Sequence, residues 1–218
     1  MILAIDTATQ YASLALYSQA GITAEETWHA GRNHTVELMP RLVRMLKSAN
    51  LTIPELTALA VSLGPGSFTG LRIGLAAAKG MALPHKLPII GVPTLEAVAY
   101  PLRTEKLPVW AIVQAGRGRI LAGCYAQVDG QWQALDEPQL TDIKALAAQI
   151  KSPALCTGEI DEHDTMILER GSRQNARVIS PAARLRRAGY LAELAAARLT
   201  AGEKTDPDTL EPIYPGQL

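Results

Sequence analysis

The chain has 218 residues, 48% hydrophobic and only 5% aromatic, and its 21 Lys and Arg balance 21 Asp and Glu. That length allows one or two domains, and the apolar share excludes a disordered chain and calls for a sizeable aliphatic core. Zero net charge argues against a protein that grips nucleic acid by itself, because phosphate binding draws on a surplus of positive charge.

Cys124 and Cys156 make neither a disulfide framework nor a CxxC metal site, and read as buried small hydrophobes in a reducing compartment. The start, Met1-Ile2-Leu3-Ala4-Ile5-Asp6, has no basic leader region, and its apolar run stops at Asp6. No run approaches the ~18 apolar residues of a membrane span. The expectation is a cytoplasmic α/β protein with no membrane contact.

In chain order, residues 2–5, 11–17 and 22–29 predict a three-stranded antiparallel meander, with Gly21 at a turn. Apolar residues then fall at Leu38, Met39, Leu42, Val43, Met45, Leu46 and Ala49, a wide helical stripe over 35–49 that Asn33 or Thr35 can cap. Residues 56–63 predict a buried strand ending at Gly64-Pro65-Gly66, and 67–83 a helix stopped by Pro84. A strand over 88–92 and a helix over 94–102 complete the first half. The polar stretch Arg103 to Pro108 predicts a boundary between units 1–104 and 105–218. Beyond it, 108–114, 119–128 and 131–136 predict strands, the last two joined by a turn at Asp129-Gly130. A helix is expected over 142–151, strands over 154–157 and 176–179, and a last long helix over 181–201, ended by Gly202. Both halves open on strands and continue with alternating helices and strands, so the pattern fits a duplicated α/β architecture. Residues 1–104 carry 8 basic and 6 acidic side chains and residues 105–218 carry 13 and 15, so neither half is a basic module.

The most distinctive stretch is Ser62-Leu63-Gly64-Pro65-Gly66-Ser67-Phe68-Thr69-Gly70-Leu71-Arg72-Ile73-Gly74. Glycines between a strand and a helix can present free N–H groups to an anion. The spacing nevertheless matches neither the P-loop nor the dinucleotide fingerprint. The alternative is a tight turn with Ser67 as N-cap. In the following helix, Gly70, Gly74, Ala77, Ala78 and Met81 form a small-residue face that admits another helix, either within the chain or from a partner.

Ile2-Leu3-Ala4-Ile5-Asp6-Thr7-Ala8-Thr9, His34-Thr35-Val36-Glu37-Leu38-Met39-Pro40, the glycine stretch through Gly74, Ala78-Lys79-Gly80 and Leu210-Glu211-Pro212-Ile213-Tyr214 resemble the bacterial TsaB (YeaZ) family. The likeness is specific through residues 1–100 and weak beyond. It implies a two-lobed actin/Hsp70-like (ASKHA) α/β fold with mixed sheets flanked by helices. It also implies a non-catalytic subunit for making N6-threonylcarbamoyladenosine at position 37 of tRNAs that read ANN codons. Such a subunit pairs with the catalytic TsaD through N-lobe helices, and the ATPase TsaE joins them. The expected docking residues are Leu38, Leu42, Met45, Gly70, Gly74 and Ala78. The same helices would form a homodimer when TsaD is absent, and tRNA is touched only indirectly.

TsaD-like relatives carry a metal motif resembling G-V-x-H-x-E-x-H, and the aligned stretch here is Gly91-Val92-Pro93-Thr94-Leu95-Glu96-Ala97-Val98. Thr94 and Val98 stand where imidazoles are needed, so neither a metal site nor a catalytic one is expected. Asp6 stands where ASKHA enzymes place an acid near nucleotide-bound Mg²⁺, and with Gly64 and Gly66 it is the only candidate for cofactor binding; no cofactor is expected. Family members often show Asp-Ala-Arg at the start of the second lobe, where this chain has Gln114-Ala115-Gly116. Glu159, Asp161, Glu162, His163 and Asp164 read as a solvated helix start. Arg170, Arg173, Arg177, Arg184, Arg186 and Arg187 read as a solvated face. Two other readings stay open: a stand-alone ASKHA ATP-dependent phosphotransferase and a metallopeptidase.

Overall fold

The structure, a computed structural model, describes residues 1–203, 207 and 209–214. It divides into two compact units, one of Met1–Thr94 with Arg186–Ile213, the other built on Leu95–Leu185. The expected boundary at 104/105 is corrected on two counts. The first unit ends earlier, and the last helix belongs to it.

In the first unit, β1 (Ile2–Asp6), β2 (Tyr11–Ser18) and β3 (Gly21–His29) form the expected meander. Helix α1 (His34–Ser48) leads to β4 (Ala58–Gly64), α2 (Phe68–His85) and β5 (Ile89–Pro93). The sheet order is β3-β2-β1-β4-β5, with β4 and β5 added in parallel. Every residue of β1 is buried, as a central strand covered on both faces requires. Leu3 and Ile5 point into a core made with Leu38, Leu42 and Met45 of α1 and Leu75, Ala78 and Met81 of α2. Ile2, Ala4 and Asp6 point the other way, where α6 (Ala188–Thr200) packs on β1 and β2. α2 runs through Pro84 to His85 and is closed by Lys86 at φ 53°, so the expected stop at Pro84 comes slightly late.

The second unit begins with α3 (Thr94–Ala99) and then β6 (Val109–Gly116), β7 (Arg119–Val128) and β8 (Gln131–Ala134). It continues with β9 (Gln139–Thr141), α4 (Ile143–Gln149), β10 (Ala154–Gly158), α5 (Glu162–Gly171) and β11 (Ala176–Val178). Its sheet runs β11-β10-β6-β7-β8, and β9 pairs with β7 beyond the end of β8. Read from β8, this repeats the first unit: an antiparallel meander extended by two parallel strands. Ile112, Ile120 and Cys156 pack under α4 and α5, while Val109, Ala111 and Val113 pack under Leu95 and Val98 of α3.

The helix expected over 181–201 starts only at Ala188. Side chains hold the preceding residues out of the helix: Arg184 donates to the carbonyls of Ile160 and Ile179, the latter at 2.8 Å. Arg187 takes the N-cap position without a capping side chain of its own. Glu25 on β3 serves instead, accepting from the Gly189 N–H at 2.7 Å while it pairs with Arg187. A carboxylate there also suits the positive end of the helix dipole.

Leu42 is fully buried, so Leu42→Ala is expected to cost about 2–5 kcal/mol, read as a lower urea midpoint. Burial raises the Cys124 thiol to about 11, aided by Asp136, and the Cys156 thiol to about 12. Both therefore stay protonated at neutral pH and react slowly with alkylating reagents until the chain unfolds. A folded value above the ordinary 9.0 means that this stabilisation is fully present below that value. It is lost as pH climbs through the raised values. A pH series of melts checks it: stability unchanged on going from pH ~8 to ~11 would contradict the assignment.

Candidate functional site

Asp6, which stands where ASKHA enzymes place an acid near nucleotide-bound Mg²⁺, is fully buried at the end of β1. Arg186, just before α6, donates from Nε to Asp6 Oδ2 and forms an ion pair whose two side chains are only 6% and 0% exposed. The other carboxylate oxygen accepts from Ser62 Oγ at 2.9 Å and from the Ala8 N–H at 3.0 Å. Arg186 in turn donates from Nη2 to Thr9 Oγ1 at 3.0 Å and to the Tyr11 carbonyl at 3.2 Å. A hard cation needs open oxygen ligands, and both oxygens of Asp6 are engaged by the chain itself. The candidacy of Asp6 for cofactor binding, given where no cofactor is expected, is therefore corrected. So is the assignment of Arg186 to a solvated face. Arg184, on two backbone carbonyls, leaves that face as well, while Arg187 pairs with Glu25 and stays exposed.

The glycine loop is explained by close packing on the turn after β1. An ideal Cβ at Gly66 would lie 2.3 Å from the Ala8 carbonyl oxygen, and one at Gly70 would lie 2.1 Å from that of Thr7. The Ser67 N–H donates to the Ala8 carbonyl at 2.6 Å and Thr7 Oγ1 to the Gly70 carbonyl at 2.7 Å. Ser67 caps α2 as expected, accepting from the Gly70 N–H at 3.2 Å. Gly64 sits at φ 109°, and its missing Cβ would lie 2.5 Å from the Ile213 carbonyl oxygen. The Ile213 N–H also donates to Leu63. Main chain of the same unit thus fills the places where a phosphate would approach Gly64 and Gly66. The anion-binding reading of both is corrected.

The six residues expected at a docking surface lie inside the first unit. Leu38, Leu42 and Met45 are core. Gly70, Gly74 and Ala78 are buried on the inner side of α2, where a Cβ at Gly74 would lie 2.3 Å from Thr7 Oγ1. A bulky residue at Gly74 would disturb the fold before it tested any partner. The apolar stripe of α1 was wide because it spans two sides of the helix, and the outer side is the free one. Val36 is 69% exposed, Met39 40% and Val43 57%, with Pro40 exposed among them. Their steps of three and four make a second amphipathic stripe. On α2, which packs beside α1, Phe68, Ala76, Gly80 and Leu83 are exposed, and Arg72 lies over the Phe68 ring at 3.7 Å. A Cβ at Gly80 would meet nothing within 4 Å. Periodicity found both stripes; only burial tells which one the chain uses itself.

Comparison with known proteins decides the family. Residues 8–166 match the family described as TsaD: tRNA N6-adenosine threonylcarbamoyltransferase. The tRNA threonylcarbamoyladenosine biosynthesis protein TsaB of Bacillus subtilis is 31% identical over 169 residues, 76% of this chain and 72% of that one. The chain belongs to the TsaB family. The Escherichia coli protein of the same name is 43% identical over 98 residues, 45% of this chain and 42% of its own length, so that match spans less than half of the relative. In structure, YeaZ from Pseudomonas aeruginosa superposes with a TM-score of 0.80 at 22% identity, covering 98% of each chain. This likeness and the repeated sheet order support the actin/Hsp70-like plan with two mixed sheets.

Among the described residues of this TsaB family member, no group of three His, Cys, Asp or Glu side chains is placed to hold a metal ion. Val98, at one position of the TsaD-like metal motif, is packed in the core of the second unit, and Thr94 at the other is fully buried. The acidic tract behaves as a helix start. Asp161 caps α5 by accepting from the Asp164 N–H at 2.7 Å, and Glu159 accepts from the Gln114 N–H at 2.9 Å. Burial, with Asp161 nearby, raises the Asp164 carboxyl, while a hydrogen bond from Gln114 opposes the rise. No described helix is long and apolar enough to cross a membrane.

Arg186→Met would leave the Asp6 carboxylate buried without its cation, at an expected cost of about 3–5 kcal/mol in urea unfolding. Adding Asp6→Asn in the same chain should return part of that loss. A single Arg186→Met chain as stable as the parent would show that the pair is not closed in solution.

Proposed function

We propose that the chain is a non-catalytic, activating subunit of the assembly that forms N6-threonylcarbamoyladenosine at position 37 of tRNAs reading ANN codons. It docks on the catalytic TsaD subunit through the outer faces of α1 and α2, and the transfer chemistry sits on TsaD. One observation carries this reading: α1 buries one apolar side against its own sheet and still exposes Val36, Met39 and Val43 on the other. A contiguous exposed apolar stripe marks an interaction surface. The names of the TsaB relatives and of the TsaD family support the choice of process. TsaE joins the larger assembly, tRNA is held by the partners, and the process is cytoplasmic. Without TsaD, the same helices pair with a second copy of the chain.

A stand-alone phosphotransferase is the weaker reading, because Asp6 is neutralised by Arg186 and the loop glycines are filled by main chain. Calorimetry of the isolated chain with Mg-ATP separates the two: this proposal expects neither binding heat nor turnover.

Co-purification with the TsaD subunit of the same genome tests the docking. Met39→Glu with Val43→Glu places two charges in the stripe and is expected to reduce complex recovery at least tenfold, since a charge buried unpaired at an interface costs several kcal/mol. At concentrations where the chain is monomeric its melting temperature should be unchanged, because both side chains are exposed. Undiminished pairing of the double variant would overturn the docking face.

A further inference from the structure

We infer that the α1–α2 face is shaped for a partner whose matching face is apolar at its centre and acidic around its rim. This rests on the docking reading above and adds the chemistry of the surface that TsaD must present. Helix α1 and its approach carry Arg32, Arg41, Arg44 and Lys47 against a single acid, Glu37. Helix α2 and its cap carry Arg72, Lys79 and Lys86, with no acid between Gly66 and Lys86. Two acids adjoin these helices. Glu26 on β3 accepts from Arg44 Nη2 at 3.0 and 3.1 Å and pairs with Arg41, and Glu55 accepts from the Thr52 N–H at 2.7 Å. Among the described residues, seven basic groups on and beside these two helices therefore stand against three acids, in a chain whose total charge is zero.

Placement strengthens the count. Val36, Pro40, Val43 and Lys47 follow steps of three and four along one side of α1, so the C-terminal end of the apolar stripe closes on a cation, and Arg32 stands in the turn before the helix. An apolar centre with a charged rim is the usual build of a selective interface: the centre holds the complex and the rim steers the encounter and rejects wrong partners. Carboxylates opposite this rim would attract it. A second copy of the chain, meeting it through a two-fold interface, would set the same cations against each other. Hetero-pairing and self-pairing through one face should therefore answer salt in opposite directions, because the screening length shortens from ~10 Å at 0.1 M to ~3 Å at 1 M and weakens attraction and repulsion alike.

The test measures affinity for the purified TsaD subunit at 50 and 500 mM NaCl, with sedimentation of the chain alone at the same two concentrations. Affinity for TsaD is expected to weaken by roughly tenfold at the higher salt, while the self-association constant tightens. Arg32→Glu with Lys47→Glu should flatten the salt dependence towards TsaD and tighten self-pairing at low salt, with an unchanged melt at concentrations where both chains are monomeric. An affinity for TsaD that is independent of salt or improved by it would overturn the acidic-rim inference and leave the docking face standing. So would self-association that weakens with salt. Absence of any TsaD binding at both concentrations would overturn the docking reading itself.

Discussion

The Asp6–Arg186 pair joins positions 180 residues apart in sequence. Asp6 ends the central strand of the first sheet, and Arg186 stands at the point where the chain re-enters the first unit to form α6. An isolated carboxylate at that depth would be strongly unfavourable, so β1 in its native place requires the returning arginine. The returning segment does more than neutralise a charge. Arg187 brings Glu25 over the start of α6, and Arg198 donates to the Gly91 carbonyl at 2.8 Å on β5. Three arginines thus tie the last helix to the third, first and fifth strands of the first sheet. The first unit is consequently discontinuous, and it cannot close until residue 186 and beyond are present.

The same corner explains the glycines. The turn after Asp6 must approach α2 closely enough for Thr7 and Ala8 carbonyls to occupy the space beside Gly70 and Gly66. Side chains at those positions would push the turn away from α2, and with it Ala8, whose N–H holds Asp6. The glycine-rich stretch and the buried acid are two parts of one packing problem. In an actin/Hsp70-like plan such a loop and such an acid invite a nucleotide reading. Here both are turned inward and satisfied by the protein.

Much of this was legible in the sequence. Alternation over 11–17, the turn at Gly21 and the strand–glycine–helix passage at 58–85 rest on local periods and caps, and the structure keeps them. What local reasoning missed depends on partners far away. Arg186 reads as one of six scattered arginines because its acid lies at the other end of the chain. The start of α6 at Ala188 follows from Arg184 and Arg186 being held by carbonyls and a carboxylate, contacts with no local signature. Strand β9 is only Gln139–Thr141, too short for a period to show. The stripe of α1 gave a correct helix but docking residues on its buried side, since a wheel shows which residues share a side but not which side the sheet covers.

Zero net charge proved to be a sum of unlike regions. The acids of the strands are drawn inward or sideways: Asp6 to Arg186, Glu25 to Arg187, Glu26 to Arg41 and Arg44. Two of those arginines come from the second half of the sequence, so counting charges by halves hides the exchange. Asp6 and Glu25 draw their counter-charge from the far end of the chain, while Glu26 takes its own from Arg41 and Arg44 of α1. The ion pairs that close the first unit therefore draw on both ends of the sequence, and its charge balance is set by the fold rather than by neighbours in the chain.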